Sequence, residues 1–181
     1  MENIKDKRIA ILVANGFEEV ELSKPKEALD QAGAITKIVS IEKDKVKAWD
    51  KTDWGNDYPV DLHIDSANAN DFDAIVLPGG QLNPDFLRVN KKAVNFVKDF
   101  AHQNKLIAAI CHGPWMLVEA DLVKGKRITS YPSIQTDLKN AGANWVDEEV
   151  VEDQGIITSR KPDDIPAFNK AIIGAFEHVT A

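Results

Sequence analysis

The chain alternates two kinds of apolar pattern. Short continuous apolar runs end in glycine, proline or asparagine, and longer stretches with apolar residues at helical spacing follow them. Continuous runs read as strands buried on both faces, and the helical spacing reads as helices packed on them. Residues 9–14 are the first such run, broken by Asn15-Gly16. Leu22, Leu29 and Ala32 then recur across residues 18–32, and Gly33 ends the helix. Pro25 fits only a first helical turn, so the helix proper is predicted to start near Ser23 or Lys24. Further strands are predicted at 35–41, 73–77, 106–110 and 128–130, and helices over 84–103, 114–123 and 134–141. Val94, Val97 and Ala101 share one face of the helix over 84–103. Residues 150–151 and 156–159 flank Asp153-Gln154-Gly155 as a hairpin, and a last helix runs from 162 or 164 to His178. Residues 43–69, with Trp49, Trp54 and Tyr58 scattered among polar positions, read as a hairpin or excursion on the surface.

This alternation implies one α/β domain over residues 1–181, with an open, mostly parallel sheet and helices on both faces. Ligands bind such sheets outside the carboxyl ends of the strands. Three loops fall there, at 15–21, 78–85 and 111–115, and each carries groups that chemistry could use.

Composition narrows the partners. The net charge is -7 and no basic cluster stands out, which argues against nucleic acid or an anionic membrane. The longest apolar runs are too short to span a bilayer, and residues 1–8 do not resemble a signal peptide. A single cysteine cannot form an internal disulfide, which points to a reducing, cytoplasmic home.

That cysteine, Cys111, ends the run 106–110 and is followed by His112-Gly113-Pro114-Trp115. A lone cysteine in an apolar strand is commonly a small buried hydrophobe. Here a polar turn with proline just inside a helix makes a strand-to-helix elbow, which exposes one side chain above a sheet. The helix N-terminus would favour thiolate over thiol. His112 is a candidate base, although neighbouring side chains on a tight turn usually diverge. Glu18, Glu19 and Glu21 follow the first strand. Acidic residues in a first turn simply suit the helix dipole, which accounts for Glu19. Glu18, at the strand's end, is the expected partner of the sulfur, with a raised pKa, and Glu21 is the reserve. Gly79 and Gly80 suit a tight turn or an oxyanion hole shared with the N–H after Cys111. His63, His102, His112 and His178 lack metal-ligand spacing, and no phosphate-binding glycine motif occurs, so neither metal nor other cofactor is called for.

Five segments occur in order: Ala-Asn-Gly-Phe-Glu-Glu-Val-Glu-Leu at 14–22, Asp-Ala-Ile-Val-Leu-Pro-Gly-Gly at 73–80, Ala-Ile-Cys-His-Gly-Pro at 109–114, Thr-Ser-Tyr-Pro-Ser-Ile at 129–134 and Asn-Ala-Gly-Ala-Asn-Trp-Val-Asp at 140–147. Together they resemble the PfpI superfamily of intracellular proteases, deglycases and cofactor-free glyoxalases. The resemblance implies a flavodoxin-like three-layer sandwich that assembles as a homodimer or hexamer. It implies Cys111 as nucleophile, Glu18 as its carboxyl partner, and Gly80 with the backbone of His112 as oxyanion donors. Gly79, Gly113, Tyr131 and Glu21 would face the substrate. It also implies that His112 pairs with an acid from a second subunit, at Asp85, where the archaeal type has glutamate. The implied activity is cysteine chemistry on reactive dicarbonyls, free or as protein adducts. Alternatives are peptide hydrolysis and, as a non-enzyme, redox sensing through oxidation of Cys111.

Overall fold

A computed structural model describes residues 4–177. The chain runs through β1 (Arg8–Val13), β2 (Phe17–Glu18), α1 (Glu19–Gln31), β3 (Ile35–Ser40), β4 (Lys45–Asp50), β5 (Asp53–Pro59), β6 (Leu62–His63) and β7 (Ala74–Leu77). It continues through α2 (Leu82–Arg88), α3 (Lys91–His102), β8 (Leu106–Ile110), α4 (Trp115–Glu119), β9 (Arg127–Ile128), α5 (Gln135–Asn140) and β10 (Asn144–Trp145). It ends with β11 (Val150–Asp153), β12 (Ile156–Ser159) and α6 (Ile165–Glu177). His178, the predicted end of the last helix, lies outside the described residues.

The central sheet has seven strands in the order β11-β12-β8-β7-β1-β3-β6. Its pairings are parallel except that of the edge strand β11. Successive residues of β1 face opposite cores, because side chains alternate across a strand. Ala10 and Leu12 join Phe72, Phe96, Phe100 and Leu117 beneath the helices α2 to α5. Ile9, Ile11 and Val13 join Leu22, Leu29, Phe168 and Ile172 beneath α1 and α6. Both faces are covered, which is why the strands read as continuous apolar runs.

Several predicted boundaries moved. α1 begins at Glu19 and carries Pro25 in its interior. Burial of Leu22 and Leu29 against the sheet outweighs the hydrogen bond that proline forfeits. The helix predicted over 84–103 is two helices, because Asn90 caps the second by accepting from Lys92 N–H and Ala93 N–H. Residues 127–128 leave the central sheet and pair instead with β10, a strand the pattern did not predict. Residues 45–59 do form a hairpin, but one joined to β2 in a separate three-stranded sheet. That sheet carries the hairpin tip over the carboxyl ends of the central strands.

Chain order sets the site. After β1 the chain adds β3 on one side, then crosses to place β7 on the other, so the order reverses between β1 and β7. The loops after β1, β7 and β8 therefore converge at a switch point, the crevice in which open α/β sheets bind ligands. Asn83 ties two of them: its Oδ1 accepts from Ala14 N–H at 2.7 Å and its Nδ2 donates to the carbonyls of Pro78 and Gly79.

Candidate active site

Cys111 follows β8 directly with φ of 63°. This left-handed conformation is costly for a residue with a Cβ, and the surroundings hold it. Its N–H donates to the Ser159 carbonyl at 3.0 Å, and its own carbonyl accepts from Tyr131 N–H at 2.9 Å. Gly113 closes the turn by donating to Ile110. A Cβ on Gly113 would run into the Leu77 carbonyl. The elbow is thus pinned from both sides.

Glu21 lies beside the sulfur. Its side chain is fully buried, its carboxyl hydrogen-bonds Cys111, and its Oε2 accepts from Gly79 N–H at 2.7 Å. Glu21 sits on α1, one turn beyond Glu18, and α1 turns it inward. Burial raises its pKa from 4.5 to about 8, against the lowering effect of Gly79 N–H. It therefore carries a proton at neutral pH. Glu18, the partner expected from sequence, lines the cavity instead. Its Oε1 accepts from Lys51 N–H at 3.3 Å, and burial raises its pKa to a lesser degree. A carboxyl partner of the sulfur is present, but three positions later than expected.

Cys111 is 7% exposed, and burial followed by the nearby Glu21 charge pushes its thiol well up. The N–H groups of Gly80 and His112 both reach the sulfur and oppose that rise. The depressed thiol pKa expected from the helix N-terminus does not occur, because desolvation outweighs two backbone dipoles and α4 is little more than one turn long. Cys111 and Glu21 titrate as a coupled pair that holds its protons at neutral pH.

His112 contacts the sulfur directly: its Nδ1 lies 3.2 Å from Cys111 Sγ. The left-handed turn at Cys111 brings together two side chains that an ordinary turn would splay. Tyr131 stacks on the imidazole at 5.0 Å between centroids, and Trp115 meets it edge-on at 5.2 Å. Burial lowers its pKa to about 4, so the ring is neutral at pH 7.

The remaining expected residues divide. Gly80 and Tyr131 line the cavity of about 570 Å³, with Cys111, His112, Glu18 and Glu21. Gly79 and Gly113 are packing positions, and their N–H groups are already given to Glu21 and Ile110. A Cβ on Gly79 would lie 2.7 Å from both Cys111 Cβ and Glu21 Oε2. Asp85 is exposed on α2 and lies outside the cavity, so the single chain does not bring it to His112. Trp49 and Lys51, at the tip of the β4–β5 hairpin, were not anticipated as cavity residues. Their placement depends on the pairing of β2 with β4, which sets Glu18 opposite Trp49. Ser133 was also missed as a neighbour of His112, although it lies within the quoted segment 129–134. Among the described residues no cluster of ligating side chains could hold a metal.

The fold and site define a class: a doubly wound α/β protein with a cysteine on a strained strand-to-helix elbow and a protonated glutamate against the sulfur. Residues 7–175 match the DJ-1/PfpI family, and the chain belongs to that family. It is 43% identical over 164 residues to YraA of Bacillus subtilis, whose name proposes a cysteine protease, covering 91% of this chain and 95% of that one. It is 42% identical to General stress protein 18 of the same organism, covering 94% and 98%. It is 40% identical to Protein/nucleic acid deglycase 2 of Escherichia coli, covering 91% and 94%. Among solved structures, DJ-1 of Schizosaccharomyces pombe superposes with a TM-score of 0.83 at 27% identity, covering 96% of this chain and 92% of that one.

Proposed function

We propose that this protein is a cysteine-dependent enzyme of stress protection that converts reactive dicarbonyls, such as methylglyoxal, or reverses their adducts on proteins. The observation that carries this reading is the buried Glu21 carboxyl, with a pKa of about 8, against the sulfur of Cys111. A group that holds a proton near neutrality can both give and take one within a single turnover.

Sulfur adds to the aldehyde carbon while the thiol proton passes to His112 Nδ1 and Glu21 protonates the aldehyde oxygen, giving a hemithioacetal. Glu21, now ionised, takes the proton from that carbon, and the imidazolium protonates the neighbouring oxygen to give an enediol. Glu21 returns its proton to the second carbon and His112 takes the hydroxyl proton, leaving a thioester. Water cleaves it to lactate: Glu21 accepts the water proton and the departing sulfur recovers its proton from His112. The N–H groups of Gly80 and His112, both near the sulfur, are suited to the oxygen that gains charge in each addition. Relatives named as a deglycase and a general stress protein support this reading.

Peptide hydrolysis is the second reading, favoured by the 3.2 Å Cys111–His112 contact and by the name of YraA. It needs an imidazolium to protonate a leaving amine, with Asp85 of a second subunit completing the site on assembly. The first experiment supplies methylglyoxal without added thiol or metal and measures lactate. Wild type and Glu18→Gln should produce it, whereas Cys111→Ser and Glu21→Gln should not. No lactate from wild type would overturn the dicarbonyl reading. Loss in Glu18→Gln with retention in Glu21→Gln would reverse the roles of the two carboxyls.

A further inference from the structure

His112 is held on four sides. Tyr131 covers one face, Trp115 meets the edge, Nδ1 lies 3.2 Å from Cys111 Sγ, and Nε2 lies 3.2 Å from Ser133 Oγ. The ring is 4% exposed, so its nitrogens answer to these partners more than to bulk water. A neutral imidazole has one N–H and one lone pair, and the partner of one nitrogen decides the role of the other.

The turn that supplies Ser133 is stapled to the elbow. Tyr131 donates its N–H to the Cys111 carbonyl at 2.9 Å, and Pro132 opens the short 3₁₀ turn that follows. One turn therefore delivers both the stacking ring and the hydroxyl, in fixed relation to the sulfur. The sulfur already receives the N–H groups of Gly80 and His112. The Glu21 carboxyl also hydrogen-bonds this sulfur, so an Nδ1–H would add a further donor there and leave the thiol proton only the already protonated Glu21 carboxyl to share. With the proton on Nε2, the S–H group has a lone pair to point at and the Nε2–H has the Ser133 oxygen.

We propose that Ser133 is a positioning residue: its hydroxyl oxygen accepts from Nε2–H of His112, holds the imidazole in the tautomer whose Nδ1 faces the Cys111 thiol, and completes a Cys111–His112–Ser133 relay within one chain. When the thiol reacts, the S–H bond breaks and an Nδ1–H bond forms. The Nε2 proton stays on nitrogen and strengthens its hydrogen bond to Oγ as the ring becomes cationic. Ser133 keeps its own proton throughout. Orientation of His112 then requires no acid from a second subunit. This deepens the role given to His112 in the proposed function and rests on that reading only for its catalytic consequence.

The tautomer can be read without turnover. Long-range ¹H–¹⁵N correlation spectra of the histidine-labelled full chain at pH 7, with His112 assigned through a His112→Gln variant, should show Nε2 protonated and Nδ1 bare. Ser133→Ala should mix the tautomers and slow alkylation of Cys111 by iodoacetamide about tenfold, the scale of one lost hydrogen bond. Ser133→Thr should restore both, since Ser133 is exposed and a methyl group there meets solvent. A wild-type spectrum with the proton on Nδ1 overturns the proposal, as does a Ser133→Ala variant with unchanged tautomer and alkylation rate. If Ser133→Ala fails to fold, the wild-type spectrum still decides. A wild type that makes no lactate but shows the Nε2–H tautomer sinks the dicarbonyl reading and leaves this relay standing.

Discussion

Glu21→Gln should raise stability at neutral and alkaline pH while it abolishes activity. In the folded protein the Glu21 pKa is raised from 4.5 to about 8, with burial the main cause. Below pH 4.5 the carboxyl is protonated in both folded and unfolded chains and contributes nothing. Above it the unfolded chain ionises freely while the folded carboxyl keeps its proton. Stability then falls by about 1.4 kcal/mol per pH unit until about pH 8, on the order of 5 kcal/mol in all. His112 slopes the other way. Its folded pKa of about 4 lies below the usual 6.5, so stability is lost as pH falls between those values, by about 3 kcal/mol. In wild type the two slopes nearly cancel from pH 4.5 to 6.5, and about 2 kcal/mol is lost from 6.5 to 8. Glu21→Gln removes the first slope. Its curve should be level from 6.5 to 8 and fall below 6.5. Urea unfolding in half-unit pH steps, followed by tryptophan fluorescence in a Cys111→Ser background, measures both curves. Subtraction cancels every other titrating group, so any constant offset from the amide does not matter. Parallel curves between pH 5 and 8 would refute a buried, proton-holding Glu21.

Two further predictions test the walls of the site. Gly79→Ala should destabilise by on the order of 2 kcal/mol and cost most of the turnover, because the added methyl meets Cys111 Cβ, Glu21 Oε2 and His112 N at 2.7–2.8 Å; thermal unfolding and lactate formation would show whether the loop can yield. Glu19→Ala should raise KM with little change in kcat, since Glu19 Oε1 accepts from Asn56 at 2.6 Å and Tyr58 at 2.9 Å and so holds the hairpin that carries Trp49 and Lys51; steady-state kinetics with an unchanged KM would remove the hairpin from substrate binding.

The sequence by itself determined the layers and the elbow that carries Cys111. Apolar runs at 9–14, 74–77 and 107–110 are buried on both faces, and that environment leaves a mark at every position of a strand. The elbow at Cys111 is equally legible, because a strand end, a glycine and a proline each constrain the backbone locally. Helix starts were less legible: Pro25 argued for a late start to α1, and tertiary burial overrode it. The choice between Glu18 and Glu21 was not local at all. Both lie near the end of the same strand, three residues apart, and only the angle at which α1 docks sends one to the sulfur and the other to the cavity rim. The thiol's raised pKa likewise follows from desolvation, a property of everything packed around Cys111 and not of its neighbours in the chain. Ser133, Trp49 and Lys51 reach the site through turns and pairings between distant segments. Tertiary structure decided these because proton affinity and contact depend on distances through space, which the order of residues does not carry.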